Sequence, residues 1–321
     1  MKKKIDILCT LGPSSLNKKF LIFSKNNISL LRLNMSHVSL AGLEKLIKFI
    51  RKYTSTPICV DTEGAQIRTK VKKSKFFKVN STFLINKKAG NINLYPEEVF
   101  DKLKFKDELD IGFNDLKAKI IEKKENYIKL KTISSGLIEK NKGVHVVNRI
   151  VNLNYLTKKD LKAIQISRRL NIKNFALSFT NTEKDIKQFN KILPRSNKIF
   201  KIETIKAVKS LDKLMKLGSN FLIDRGDLSK EVSIEQIPVI QRKIISISKK
   251  YRNKKIFIAT NFLESMIENK YPTRGEANDI YSSLEMGANG LVLAAETAIG
   301  KFPEKTIIFL KKMIKTFSKE S

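Results

Sequence analysis

The sequence has little from which to build a disulfide framework, a histidine metal centre or a membrane anchor. Its 321 residues include two cysteines and two histidines. Cys9 and Cys59 each fall within an apolar run and have no metal-ligand spacing around them. Both read as buried, reduced thiols, as expected in a cytoplasmic protein. His37 and His145 form no pair with metal spacing, and read as core or surface residues rather than catalytic bases. No stretch approaches the roughly 18 apolar residues of a membrane span. The apolar run that follows basic Met1 to Lys4 meets Gly12-Pro13 too soon to form a signal-peptide core. A Walker loop, a nucleophile elbow and a Ser/His/Asp order are all missing.

Negative charge is also scarce: 31 Asp plus Glu stand against 64 Lys plus Arg, a net charge of +33. Such an excess ordinarily points to nucleic acid or an anionic surface. Here the lysines run along the whole chain beside abundant Ile and Asn, and aromatics are not interleaved with the basic stretches. A compositional bias explains that spread, so neither a nucleic-acid nor a membrane partner is expected. A positive field still helps to gather phosphorylated substrates.

What is present is a series of eight short apolar runs: Ile5 to Cys9, Leu30 to Leu33, Ile58 to Val60, Phe175 to Leu177, Ile199 to Ile202, Phe221 to Ile223, Ile256 to Ala259 and Gly290 to Leu293. Strands buried on both faces look apolar throughout, and the active site of a (β/α)₈ barrel forms where their C-terminal ends converge. Those ends carry Thr10, Arg32, Asn34, Asp61, Ser178, Lys201, Glu203, Asp227, Thr260 and Glu296. This predicts an α/β chain, a (β/α)₈ TIM barrel with a polar mouth. Helices are expected over Leu161 to Arg169, Ala207 to Leu217, Ile234 to Lys249, Glu276 to Met286 and from Pro303 onward, the last with Ile307, Leu310, Ile314 and Phe317 on one face. Between Arg68 and Asp160 the pattern changes. Tyr127 to Lys131 alternates with period two, and Gly112 with Asn114-Asp115 signals a turn. A small β domain inserted after the third strand follows, with the barrel over 1–68 and 158–321 and the insert, a candidate lid, over 69–157.

Glu203 and Asp227 end neighbouring strands, so both carboxylates can reach one ion. Few hard oxygen ligands, completed by water and a phosphate, suit Mg²⁺. Lys201 lies two residues before Glu203 on the same side of the pleat and adds a cation suited to a phosphoryl group in transit. A structural ion-pair network is the alternative reading of the three. Gly226, within Arg225-Gly226-Asp227-Leu228, lets backbone approach a ligand, and Arg32 with Asn34 offers a phosphate clamp and an oxygen ligand.

Eight blocks in order then resemble the pyruvate kinase family along nearly the whole chain. They include Cys9-Thr10-Leu11-Gly12-Pro13-Ser14-Ser15, Arg32-Leu33-Asn34-Met35-Ser36-His37, Asp61-Thr62-Glu63-Gly64-Ala65-Gln66-Ile67-Arg68-Thr69, Lys201-Ile202-Glu203 and Arg225-Gly226-Asp227-Leu228. Ala259-Thr260-Asn261, Pro272-Thr273-Arg274-Gly275-Glu276 and Glu296-Thr297-Ala298-Ile299-Gly300-Lys301 continue the series. The resemblance implies phosphoryl transfer from phosphoenolpyruvate to ADP, giving pyruvate and ATP. Lys201 would stabilise the moving group, and Glu203 and Asp227 would hold Mg²⁺ or Mn²⁺. Arg32 would bind the phosphate, while Gly226, Asp227 and Thr260 would hold the carboxylate. Asn34, Arg68 and Lys159 match nucleotide positions, and Asn34, Ser36, Asp61 and Thr62 match a K⁺ site. The insert would close over the nucleotide and exclude water.

Four departures accompany the resemblance. The family's large C-terminal domain has no counterpart in the sequence, so effector control through it is not expected, while a homo-oligomer through barrel surfaces stays possible. Asp224 stands where the family has Ala beside the carboxylate pocket. Facing that pocket it would cost about 1 to 4 kcal/mol in like-charge repulsion; otherwise it pairs with a neighbouring lysine or selects another substrate. Ala294-Ala295 replaces Ser-Gly, removing a hydroxyl from the region of the proton relay. Gln66 replaces the residue that tracks potassium dependence. Two rivals therefore stay open: a paralogue acting on another enol-phosphate or 2-oxoacid, and a non-catalytic nucleotide-binding or regulatory protein.

Overall fold

The computed structural model describes residues 4–112, 116–149 and 151–320. Eight parallel strands close into a barrel: β1 (Asp6–Thr10), β2 (Leu30–Asn34), β3 (Ile58–Asp61), β4 (Asn174–Leu177), β5 (Asn197–Ile202), β6 (Asn220–Asp224), β7 (Lys255–Ala259) and β8 (Gly290–Leu293). β8 returns to pair with β1 through Asp6↔Gly290 and Cys9↔Leu293. These are the eight apolar runs, with some bounds moved outward by a residue or two where a polar residue completes the ladder, as Asn197 and Lys198 do in β5.

Helices cover the strands and start where short polar side chains can take the first free N–H groups. Thr182 and Thr273 each form a capping box, with Asp185 and Glu276, and Ser39 and Thr204 accept from Gly42 and Ala207. Each such cap contributes on the order of 1 kcal/mol. The helix Leu40–Tyr53 buries Leu43, Ile47 and Ile50, one stripe at helical spacing. The expected helix over Ala207 to Leu217 is two, Ile205–Lys209 and Leu211–Leu217, because Ser210 leaves helical geometry at φ −96°, ψ 8°. The expected Ile234 to Lys249 helix opens as a 3₁₀ turn, Ile234–Gln236, before the α-helix Ile237–Ser248. On the last helix, Pro303–Glu320, Ile307 and Leu310 are buried, whereas Ile314 and Phe317 are only partly so.

The chain divides into two compact units, 1–64 with 158–321 and 65–157. The insert begins ahead of the expected 68/69 boundary because Ile67–Val71 is already one of its strands, paired with Gly143, Val144 and the strand Ile92–Tyr95. It contains a seven-stranded antiparallel sheet and a two-stranded ribbon, Lys75–Phe77 with Gly136–Ile138. Leu116–Lys123 and Tyr127–Thr132 alternate buried and exposed residues, and Leu116, Ile120, Ile128 and Leu130 join one apolar core. Of the expected turn residues, Asn114 and Asp115 lie outside the described residues. Among the described residues, no helix is long and apolar enough to cross a membrane.

Candidate active site

Period two within the barrel strands builds the site. Leu8, Cys59, Ala176, Ile199, Leu222, Phe257 and Val292 pack in one buried cluster, with Leu30 against it. Ala259 of β7 belongs to it as well, so every strand contributes and β7 contributes twice. Two positions further along, the same inward register presents Thr10, Arg32, Asp61, Ser178, Lys201 and Asp224, and in β5 a further step presents Glu203. A charged layer therefore lies directly on an apolar one.

Lys201 is the hub of that layer. Its ammonium lies 2.7 Å from Glu203 Oε1, 3.4 Å from Asp224 Oδ2 and 3.5 Å from Asp61 Oδ2, and donates to Ser178 Oγ at 3.2 Å. Arg32 donates Nε to Asp61 Oδ2 at 2.7 Å and Nη1 to Thr10 Oγ1 at 3.0 Å, with Nη2 2.6 Å from the same Asp61 oxygen as an ion pair. Ser178 Oγ donates to Asp61 Oδ1 at 3.3 Å. The Phe179 N–H, on a backbone at φ 51°, donates to Glu203 Oε2. Glu203 Oε1 is within ion-pair distance of Lys201 but outside hydrogen-bonding geometry, so this buried oxygen makes no hydrogen bond. Glu203, Asp224 and Asp227 each present a carboxylate oxygen within 4.8 Å of the other two.

The electrostatics follow from burial and an unequal count of charges. Burial works to deprotonate Lys201, but Asp61, Glu203 and Asp224 outweigh it and raise its pKa, so it stays a cation. Burial pushes Glu203 up to about 8; Asp227 and Asp224 add to that rise and Lys201 opposes it. Asp227 also suffers burial, yet Lys230 at 2.5 Å and Lys201 hold it below the ordinary carboxylate range. Lys201 is thus a fixed positive charge and not a general base.

After β6 the chain turns through Arg225–Leu228, with Asp224 as its cap: Asp224 Oδ1 accepts from the Asp227 N–H at 3.5 Å. Thr260, at φ 74°, accepts the Gly226 N–H on Oγ1 at 2.8 Å. Arg225 holds the Thr260 carbonyl, pairs with both oxygens of Asp279 at 2.9 and 2.7 Å, and stacks 4.3 Å over Phe262. That clamp keeps Thr260 in a left-handed conformation costly for a β-branched residue. A Cβ on Gly226 would meet only ordinary contacts, at 3.5 Å from Asp224 and Thr260. The protein's own packing does not demand glycine there.

The other expected site residues are each held by partners within their own unit. Asn34 and Asp61 face each other in the β2–β3 register, and Asn34 Oδ1 accepts from the Ser36 N–H at 3.0 Å. Thr62 Oγ1 accepts from the Ser178 N–H, and Asp61 turns its carboxylate onto Arg32 and Lys201. Lys159 pairs with Glu63 at 2.7 Å and donates to the Met35 carbonyl. Nearby, Asp160 accepts both the Glu63 and Gly64 N–H groups, at 2.7 and 3.2 Å. Arg68 belongs to the insert's sheet, where it donates to the Asn141 carbonyl at 3.5 Å. Glu296 is buried and accepts from the Ala294 N–H at 2.7 Å, a backbone role rather than a place at the mouth. Cys9 and Cys59 are buried and free, and burial pushes the Cys9 thiol up to about 12. The partnership of Asp224 with Lys201 was one of three alternatives in the sequence; the pleat carries the deciding signal, since Asp224 sits two residues beyond inward-facing Leu222.

The family model for the pyruvate kinase barrel domain matches residues 2–307. The chain belongs to the pyruvate kinase family. It is 30% identical to pyruvate kinase of Thermotoga maritima, covering 98% of this chain and 71% of that one, and 33% identical to that of Methanocaldococcus jannaschii, covering 98% and 70%. The crystal structure of Cryptosporidium parvum pyruvate kinase superposes with a TM-score of 0.90 at 26% identity, covering 99% of this chain and 71% of that one.

Proposed function

We propose that this chain transfers the phosphoryl group of phosphoenolpyruvate to ADP, yielding pyruvate and ATP. The observation that carries this reading is Lys201, a buried and permanently charged ammonium 2.7 Å from Glu203, within the same charged layer as Arg32. In the transfer the enol C–O–P bridge breaks at phosphorus, a terminal oxygen of ADP bonds to that phosphorus, and the enolate then takes a proton at carbon. Lys201 neutralises charge on the three oxygens of the moving group. Arg32 donates Nε to Asp61 and Nη1 to Thr10, and its remaining N–H groups, of five on a guanidinium, are available to the phosphate. Thr260 and the backbone of Gly226 and Asp227 hold the carboxylate, which must displace the internal acceptors Thr260 Oγ1 and Asp224 Oδ1. Asn34, Arg68 and Lys159 serve the nucleotide, Lys159 by exchanging Glu63 for a phosphate.

Glu203 and Asp227 fit a divalent cation: they are hard oxygen donors beside a buried carboxylate oxygen that makes no hydrogen bond. Mg²⁺ or Mn²⁺ bound there supplies positive charge to the phosphoryl oxygens. Asn34, Ser36, Asp61 and Thr62 are oxygen donors of the kind K⁺ takes, and would hold that ion. Ala294 supplies no hydroxyl for proton delivery, so phosphoryl transfer should outpace ketonisation of the enolate. The test is ADP-dependent pyruvate formation in a coupled assay across Mg²⁺, Mn²⁺ and pH. No pyruvate under any condition would remove the proposal.

One observation favours a second reading. The Asp224 carboxylate accepts the Asp227 N–H assigned above to the substrate. An enol-phosphate lacking that carboxylate would avoid the competition. A large gain in phosphoenolpyruvate turnover in Asp224→Ala alone would support this alternative.

A further inference from the structure

We propose that Asp224 is a third carboxylate ligand for the divalent cation, so that the substrate-free chain holds the ion more tightly than Glu203 and Asp227 alone would. The inference rests on the reading that Glu203 and Asp227 hold that ion. Three observations carry it. Glu203, Asp224 and Asp227 bring ligand oxygens within 4.8 Å of one another. Around an octahedron with bonds of about 2.1 Å, ligand oxygens lie about 3.0 Å apart when adjacent and about 4.2 Å when opposite, so the trio closes on an ion with side-chain shifts of about 1 Å. Next, the Glu203 carboxylate is buried and its Oε1, although 2.7 Å from the Lys201 ammonium, makes no hydrogen bond, which leaves this oxygen with acceptor capacity that a second cation can use. Finally, the charges do not balance. Four carboxyl groups, Asp61, Glu203, Asp224 and Asp227, lie in or beside this layer against two cations, Arg32 and Lys201, so the ionised trio that oxygen ligation needs leaves negative charge in excess. Lys230 pairs with Asp227 at 2.5 Å, from a side chain 28% exposed. A divalent ion supplies the missing charge.

Ligand charge count sets affinity in sites built from oxygen donors, so adding Asp224 strengthens binding to the free protein. Asp224 Oδ1 also caps the Arg225–Leu228 turn that carries Asp227, which ties the third ligand to the second.

The test is calorimetric titration of the whole chain with Mn²⁺ alone, without nucleotide or enol-phosphate. The wild type should bind one ion. Asp224→Asn keeps an acceptor for the Asp227 N–H and should weaken binding by about 10- to 100-fold, and Asp224→Ala at least as much. Thermal unfolding without metal identifies any variant that fails to fold, in which case the other carries the comparison. Binding by Asp224→Asn at wild-type affinity overturns the inference. Glu203→Gln separates the two levels of the argument. Loss of binding there with Asp224→Asn unaffected leaves the Glu203 and Asp227 site standing and removes only the third ligand. No Mn²⁺ binding by the wild type identifies the trio as a structural ion-pair network and removes this inference, while pyruvate formation in the presence of substrate still decides the proposed function.

Discussion

Two buried carboxylates in this chain meet opposite fates. Asp107, in the insert, is 2% exposed and faces one matched cation: Arg149 donates Nε at 2.7 Å and Nη2 at 2.6 Å, and the Lys104 backbone N–H adds a bond at 2.7 Å. Burial resists its ionisation, yet these partners hold its pKa below the ordinary range. Glu203, in the barrel, is 1% exposed and has a lysine equally close, but it shares that lysine with Asp61 and Asp224 and is pushed up to about 8. Burial is common to both. The count of charges differs, and a matched pair marks structure whereas a surplus of anions marks a place for something that has yet to bind.

The largest effect should come from removing the hub. Lys201→Met should lower kcat for phosphoryl transfer roughly 10³-fold, at the upper end of what one charge-stabilising group contributes. Circular dichroism should show a retained barrel, because the carboxylates left behind can take up protons. Undiminished turnover would show that Lys201 is as structural as Arg149.

The two sites should then separate in stability. Arg149→Met strands Asp107 as an unpaired buried carboxylate and should cost about 3 kcal/mol in denaturant unfolding. Glu203→Gln replaces a carboxyl that is pushed up to about 8 and competes with Asp61 and Asp224 for Lys201, so the metal-free protein should change by less than about 1 kcal/mol, in either direction. Equal losses in both variants would erase the distinction.

Much of this was legible in the sequence. The barrel strands are buried on both faces and therefore appear as uninterrupted apolar runs, and Lys201-Ile202-Glu203 places both charges on one face at a spacing of two. The roles around them were not legible, because they depend on contacts between strands. Asp61 resembles a potassium ligand by its block; the β2–β3 register sets it opposite Asn34, and only the side-chain contacts show that its carboxylate also pairs with Arg32 and Lys201. Arg225 reads as part of a glycine turn, yet it clamps Thr260 from 35 residues away. Ser210 splits a helix whose periodicity is continuous, through a backbone angle that no pattern of apolar residues encodes.

Gly226→Ala offers a smaller effect that sharpens the same contrast. Its Cβ would sit 3.5 Å from the nearest protein atoms, an ordinary contact, so unfolding free energy should stay within about 0.5 kcal/mol of wild type. If the space above Gly226 belongs to a substrate carboxylate, kcat/KM should fall by about tenfold, the equivalent of one compromised hydrogen bond. Gly12→Ala is the structural control. There a Cβ would lie 2.5 Å from the Ala298 carbonyl oxygen, and stability should suffer.

Acid provides the smallest and most local test. Asp107 ionises below its unfolded value of 3.8, so its pairing contributes stability that is fully present above that pH and lost as the pH falls through the lower, folded value. Acidification below pH 3.8 should therefore raise amide exchange in the strand Glu108–Ile111, which begins next to Asp107. The loss should be smaller than in Arg149→Met, because a protonated Asp107 still accepts the Lys104 N–H and carries no unpaired charge. In Arg149→Met the lowering influence of the guanidinium is gone, and this acid dependence should flatten. If it persists there unchanged, the pair does not set the titration of Asp107, and the insert no longer serves as the matched reference for the unbalanced cluster in the barrel.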